Sequence, residues 1–168
     1  KDIDGLTTYN IGLVTAGKGG FAPCTAAGVI EILKYAGVEI GGKKVTIVGR
    51  SNVVGRPLAL LFIGLDATVT VCHSRTKDVK EACKNAEILV ASCGKARFIN
   101  KEYVANGAVV IDVGINLDEE GKLCGDVDTG SIEGIAYACT PVPGGVGAVT
   151  TSVLASHVLC AYENTLKA

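Results

Sequence analysis

Hydrophobic positions change their period along the chain, and the changes mark out the elements. From Thr25 onward, Val29, Ile32, Leu33 and Ala36 fall at helical spacing. This predicts an amphipathic helix capped by Thr25 and stopped at Gly37. At Val45 the period is lost. Val45-Thr46-Ile47-Val48 is a short β-branched run ending at Gly49, the signature of a buried strand. Arg56-Pro57 opens a helix that runs through Leu58 to Ile63 and stops at Gly64. It is apolar nearly all round, which predicts burial on several sides. Thr68 to Cys72 is a second strand. Strand, glycine turn, helix and strand in this order form a βαβ unit with a right-handed crossover.

The alternation continues. Asp78 to Asn85 reads as a short helix, with Asp78 and Glu81 placed for a capping box. Glu87 to Ala91 is a third strand, and Asn100 is placed to cap another helical turn. Ala108 to Val113 is a fourth strand ending at Gly114, residues 118–122 form a charged turn, and Ala136 to Thr140 holds a short strand. A long helix is expected over Thr150 to Lys167, with Val153, Leu154, His157, Val158 and Ala161 along one face. Residues 1–23 read as irregular and glycine-rich. The expected fold is a single α/β domain, a doubly wound and mostly parallel sheet with helices on both faces.

Composition narrows the functional classes. The 168 residues carry 16 Lys and Arg against 17 Asp and Glu, a net charge of −1, so there is no electrostatic reason to expect nucleic acid or an anionic membrane as partner. No apolar stretch is long enough to span a bilayer, and no signal-peptide pattern opens the sequence. The seven cysteines are odd in number and form no C-x-x-C. They read as reduced, mostly buried thiols of a cytoplasmic protein, not as disulfides or zinc ligands. Methionine is absent, and the sequence starts at Lys1-Asp2-Ile3-Asp4-Gly5 without a lead-in. A piece of a longer protein is the expectation, with initiator removal as the plainer alternative.

The chemistry centres on the first βα turn, Gly49-Arg50-Ser51-Asn52-Val53-Val54-Gly55. It is not a G-x-G-x-x-G, since Ser51 replaces the middle glycine and the closing glycine comes one residue late. Its setting between a buried strand and a helix strengthens it as a dinucleotide site. Such a turn aims backbone N–H groups from a helix N-terminus at a phosphate, and Ser51 adds a hydroxyl donor. A structural turn without ligand is the competing reading. The end of the second strand, Cys72-His73-Ser74-Arg75-Thr76-Lys77, offers a hydroxyl and cations with no acid before Asp78. An NAD site commonly places Asp or Glu there for the ribose 2′-OH, so this segment and Arg50 favour NADP, with NAD as the alternative. His73 reads as an ordinary loop residue or, less simply, as an acid/base group.

Ligands of open α/β sheets bind beyond the carboxyl ends of the strands. Ser92-Cys93-Gly94-Lys95, Gly114-Ile115-Asn116 and Thr140-Pro141-Val142-Pro143-Gly144-Gly145-Val146-Gly147 should gather there, although each alone could be a plain turn. Asp112 reads as a structural hydrogen-bonding group. Asp126 and Asp128 lie two apart without an evident third metal ligand, so no metal site is expected. There is no G-x-S-x-G, H-E-x-x-H or P-loop, and no nucleophile–base pair is visible.

Taken together with Pro23-Cys24-Thr25, Cys72-His73-Ser74, Asp112-Val113-Gly114-Ile115-Asn116 and Gly125-Asp126-Val127-Asp128, the glycine turn and the Pro143-to-Gly147 segment give the chain a family likeness over essentially its whole length. It resembles the carboxy-terminal, NAD(P)-binding part of the bifunctional methylenetetrahydrofolate dehydrogenase/methenyltetrahydrofolate cyclohydrolases. The resemblance implies a Rossmann-like domain. It also implies oxidation of the folate methylene bridge with hydride transfer to a nicotinamide, usually NADP, and hydrolysis of the methenyl product to formyltetrahydrofolate. Gly49, Arg50, Ser51, Val54, Ser74, Cys93, Gly94, Ile115 and Thr150 would hold the cofactor. Asp4, Pro143, Gly144, Gly145 and Val146 would border the tetrahydrofolate substrate. The catalytic Tyr-x-x-x-Lys helix of the family belongs to an amino-terminal domain, and that motif does not occur here, so no catalytic residue is assigned in this chain. Segments 1–37 and 150–168 would bridge to that domain, and a homodimer is expected. Where the family usually continues Gly147 with Pro-Met, this chain has Ala148-Val149. A free-standing, catalytically inactive dinucleotide-binding module is the alternative.

Overall fold

The structure, a computed structural model, describes residues 2–166. Its elements are α1 (Thr8–Thr15), α2 (Cys24–Tyr35), β1 (Lys44–Val48), α3 (Gly55–Ile63), β2 (Thr68–Cys72), α4 (Val79–Lys84), β3 (Ile88–Ala91), β4 (Val109–Asp112), β5 (Asn116–Leu117), β6 (Leu123–Cys124), α5 (Thr129–Ile132), β7 (Ala138–Cys139) and α6 (Val146–Leu166). Five strands form one wholly parallel sheet in the order β2-β1-β3-β4-β7. The other two, β5 and β6, make a small antiparallel hairpin around the expected 118–122 turn.

Alternation along the central strands feeds two cores, because successive side chains point to opposite faces. Val45, Ile47, Ile88, Val90 and Ile111 pack with Leu33 of α2 and with Leu58 and Phe62 of α3. Val48, Leu89 and Val110 pack on the other side with Cys83 of α4, Tyr103 and Ile132 of α5. Thr46 is the buried polar member of β1, and its hydroxyl donates to the Ala82 carbonyl at 2.9 Å, tying α4 to the sheet. Helices thus cover both faces, as the strand pattern requires.

Several local expectations change. Residues 1–23 are not wholly irregular, because Thr8–Thr15 is helical. That segment lacks an amphipathic period and is held by polar contacts instead. The Asp2 carboxylate accepts from the backbone N–H groups of Leu6 and Thr7 and from the Asn10 amide. Helix α2 starts at Cys24, with Pro23 and not Thr25 at its cap. Its first N–H is satisfied across the chain by Asp4, whose Oδ1 accepts from Cys24 N at 3.2 Å. Asn100 caps no helix; its Oδ1 accepts from Glu102 N in a tight turn. Asp78 does cap α4 through Glu81 N. Ile63 leaves one side of α3 open to solvent at 59% exposure. Helix α6 begins at Val146, four residues before the expected Thr150, and the expected end at Lys167 lies outside the described residues.

Helix α6 packs on α2, with Gly28 against Val149 and Thr150 and Cys24 against His157; Val153, His157 and Ala161 are half-buried, while Leu154 and Val158 of the predicted face stay exposed. His157 stacks on Phe21 with ring centroids 4.7 Å apart, and its Nδ1 lies 2.8 Å from the Ile3 carbonyl oxygen. All seven cysteines are free thiols, four of them buried. Among the described residues no helix is long and apolar enough to cross a membrane.

Candidate functional site

The sheet changes direction between β1 and β3. The chain leaves β1 toward β2 on one side, while β3, β4 and β7 follow on the other. Such a switch point opens a crevice beyond the carboxyl ends of the strands. The 49–55 turn forms one wall. Gly49 has φ +133°, and a Cβ there would strike the Ser92 carbonyl of the β3 loop. A Cβ on Gly55 would collide in turn with the Gly49 carbonyl. The two glycines let three backbone segments touch, which closes the turn onto the start of α3.

Ser51 has a structural task beside the expected one, and it leaves the hydroxyl hydrogen free to donate. Its Oγ accepts from Val54 N at 3.1 Å and from Gly55 N at 3.5 Å, so it caps α3 from within the turn. Arg56 N donates to the Ser51 carbonyl. The N–H groups of Arg50, Ser51, Asn52 and Val53 have no intramolecular acceptor among the described residues. Four successive free donors at the start of a helix suit an anionic ligand.

The second wall is the 73–76 turn. His73 N donates to Thr76 Oγ1 and Thr76 N to the His73 carbonyl, both at 2.9 Å. His73 Nδ1 accepts from Arg75 N at 3.1 Å, which leaves the proton of a neutral ring on Nε2 and makes His73 a turn-fixing residue. Between these walls lies a cavity of about 440 Å³. Gly49, Arg50, Ser51, Ser74 and Cys93 line it together with Thr76, Lys95 and Phe98, and its lining holds no carboxylate. The volume falls within the range of ligand pockets.

The β3 loop points its donors inward. The carboxylate of Asp126, itself fully buried, accepts from the N–H groups of Cys93, Gly94 and Lys95 at 2.6–2.9 Å and from the Asn116 amide at 2.9 Å. Asp112 accepts from Gly114 N, Asp126 N and Val127 N, all at 2.9 Å. Both aspartates are therefore structural acceptors. No group of His, Cys, Asp and Glu among the described residues is arranged to hold a metal. Burial holds the Asp112 carboxyl above the ordinary carboxylate range. Burial and the neighbouring Asp126 push the Cys93 thiol up to about 12, so it faces the cavity as a neutral group.

A second, smaller cavity of about 210 Å³ lies over β4 and the start of α6. It brings Ile115 together with Pro143, Gly144, Gly145 and Val146, along a segment that holds the cis Val142-Pro143 bond. Four predicted residues line neither cavity. Val54 sits at the exit of the first turn, just before α3, and Gly94 lies in the β3 loop with its N–H donating to Asp126. Thr150 lies one turn into α6, with its hydroxyl donating to the Val146 carbonyl at 2.9 Å. Asp4 sits at the start of α2 beside Cys24, whose thiol is pushed up to about 12 by burial and by Asp4. Lys95, Thr76 and Phe98 were not singled out from the sequence as site residues. Their only signal was their place just after strand ends.

Comparison with known proteins agrees with this geometry. Residues 23–166 match the family described as tetrahydrofolate dehydrogenase/cyclohydrolase, NAD(P)-binding domain. The bifunctional protein FolD of Agathobacter rectalis is 54% identical over 163 residues, covering 97% of this chain and 58% of that protein. FolD of Clostridium kluyveri is 52% identical, covering 99% and 60%. The crystal structure of the bifunctional FolD of Campylobacter jejuni superposes with a TM-score of 0.96 at 38% identity, covering 98% of this chain and 59% of that one. The Trypanosoma brucei FolD, solved with NADP cofactor and inhibitor, gives 0.92 at 38% identity, covering 100% and 60%. The chain thus spans about three fifths of the length of these relatives. From its fold, its crevice and these matches, the chain belongs to the NAD(P)-binding domain family of the tetrahydrofolate dehydrogenase/cyclohydrolases.

Proposed function

We propose that this chain binds NADP in the β1/β3 crevice as the cofactor part of a cytoplasmic enzyme. That enzyme oxidises methylenetetrahydrofolate to methenyltetrahydrofolate and hydrolyses the product to formyltetrahydrofolate. The observation that carries the reading is the 440 Å³ cavity, which brings Ser74 together with Arg50 and Ser51, the first two of the four unpaired N–H donors, with no carboxylate in its lining. An acid at the end of β2 would favour a bare ribose, whereas a cation and a hydroxyl favour a 2′-phosphate. When bound, NADP supplies the hydride acceptor for the folate methylene carbon.

The chain's own residues bind and orient. The free N–H groups of residues 50–53 and the Ser51 hydroxyl receive the pyrophosphate, with Gly49 bringing the turn against it and Val54 fixing the turn's exit. Arg50 and Ser74 flank the 2′-phosphate. Cys93 lines the cavity from the β3 loop, and Gly94 next to it contacts the cofactor from the same loop. Ile115 and Thr150 lie toward the nicotinamide, and Pro143, Gly144, Gly145 and Val146 border the cleft it shares with the folate. Asp4 holds the pterin ring, with its carboxylate positioned at the start of α2 by Cys24 N. The proton-transfer groups come from an amino-terminal catalytic domain of the kind that FolD proteins carry, docked on α2 and α6. Dimerisation runs through this domain, where Leu117 and Leu123 of the β5–β6 hairpin are exposed.

The test is to titrate the chain with NADP and NAD and to assay dehydrogenase and cyclohydrolase turnover. NADP binding tighter than NAD binding, with no folate turnover by this chain alone, is expected. Tighter NAD binding would reject the cofactor assignment. Cyclohydrolase turnover by these residues alone would reject the division of labour. A free-standing module would bind cofactor equally well with or without a FolD amino-terminal domain.

A further inference from the structure

We propose that Lys95 is a specificity-determining residue of the cofactor site, a second cation that recognises the 2′-phosphate of NADP beside Arg50; this rests on the NADP reading above. The sequence places three other basic residues near the end of β2 or just after the first turn, and the structure sorts them differently. Arg75 and Lys77 are exposed outside the cavity, and the Arg75 backbone is committed to His73 Nδ1. Arg56 turns onto Asn52, with Nη1 donating to Oδ1 at 2.9 Å. Lys95 reaches the cavity from the opposite side, the β3 loop. It lines that cavity with Arg50, Ser51, His73, Ser74 and Thr76.

Three features prepare Lys95 for an anion. Its backbone N–H is fixed by the buried Asp126 at 2.8 Å, so its Cα is set by the core and not by a loose loop. Its ammonium lies 5.1 Å from the centroid of the Phe98 ring, and Phe98 lines the same cavity, so the side chain runs along the cavity wall. Lys95 forms no ion pair among the described residues, unlike Lys34, Lys43, Lys80 and Lys122, each of which has a carboxylate partner. The cavity therefore holds two cations in its lining, Arg50 from the first turn and Lys95 from the β3 loop, together with the Ser74 and Thr76 hydroxyls. NAD carries no phosphate on its 2′-oxygen and NADP carries a dianionic one, so the second cation acts on the difference between the two cofactors.

The experiment compares NADP and NAD binding by calorimetry in the wild-type chain, Lys95→Gln and Lys95→Arg, with thermal unfolding as the folding control. In Lys95→Gln, NADP affinity is expected to fall roughly tenfold or more, the usual size of a lost charge-assisted contact. NAD affinity should stay within about twofold by the same reasoning, and Lys95→Arg should keep most of the NADP preference. Unchanged NADP binding in Lys95→Gln overturns the inference, as does an equal loss for both cofactors, which would place Lys95 on the pyrophosphate. A wild-type chain that binds no NADP would instead overturn the proposed function itself, so the two failures are distinguishable.

Discussion

Asp126 N donates to the Asp112 carboxylate at 2.9 Å, so one buried aspartate positions the backbone of another. Asp126 then spends its own carboxylate on Cys93, Gly94, Lys95 and Asn116. The pair links the ends of β3 and β4 to the 125–127 segment and fixes one wall of the cofactor crevice. Close approach is essential here, since a Cβ on Gly125 would overlap the Asp112 carboxylate. Asp126→Ala would leave four donors without an acceptor. At about 1–3 kcal/mol for each unsatisfied buried group, with some relief from water, a loss of about 3 kcal/mol or more is expected. Urea unfolding reads it directly, and an unchanged midpoint would show that the network contributes little.

Two carboxylates give opposite pH dependences. Hydrogen bonds from the Asn10 amide first, and then from Thr7, hold Asp2 well below its ordinary value of 3.8. A lowered carboxyl contributes stability that is present above the unfolded value and is lost as pH falls through and below it. Asp112 is raised from 3.8 by burial, so its contribution declines as pH climbs from that value. Asp2→Asn should therefore flatten the acid limb of a stability-versus-pH curve, leaving less loss between neutral pH and pH about 3. A curve that stays as steep as the wild type's would assign the acid limb to other carboxylates.

The cofactor assignment can be pushed the other way. Ser74→Asp would put a carboxylate at the end of β2, where it accepts from a ribose 2′-OH and repels a 2′-phosphate. NADP affinity should fall by about tenfold or more while NAD binding holds or improves. Parallel titrations check this, and equal effects on both cofactors would argue that Ser74 is remote from the 2′-position.

Much of this crevice was legible in the sequence, for an identifiable reason. Strands β1, β2, β3 and β4 are short β-branched or apolar runs closed by turn residues, and the 49–55 turn sits directly between a strand and a helix. Those signals are local. Helix α1 escaped because it is held by Asp2 and Asn10 and not by an apolar face. The role of Asp126 escaped because its partners lie 31 to 33 residues away along the chain. Lys95 escaped for the same reason: only the fold of the β3 loop shows that it lines one cavity with Arg50 while Arg75 and Lys77 do not.

Thiol reactivity should be sharply uneven. Burial pushes Cys24, Cys83 and Cys93 up to about 12 and Cys139 up to about 11, and Cys124 is buried. Cys160 alone is exposed, on α6. A disulfide exchange reagent at mildly alkaline pH should label one thiol rapidly, with the rest following only on unfolding. Cys160→Ser should abolish the fast phase, and its persistence in that variant would reveal an opening of the crevice at Cys93.

Helix α6 presents an apolar surface that this chain leaves uncovered. Leu159, Tyr162 and Leu166 are 65%, 63% and 70% exposed, with Leu154 and Val158 beside them, while the opposite face packs on α2. Covering a side chain of this kind is worth about 1.5–3 kcal/mol, so several together give a strong drive toward any complementary surface. A contiguous patch of this sort marks an interaction site. The chain by itself should bind a hydrophobic dye and associate with rising concentration in light scattering. Leu159→Lys should lower both signals without altering NADP binding, since residue 159 lies far along α6 from the crevice. A wild-type chain that is monodisperse, monomeric and silent toward the dye would mean that this face needs no cover. The proposed docking of an amino-terminal domain on α6 would then lose its structural support.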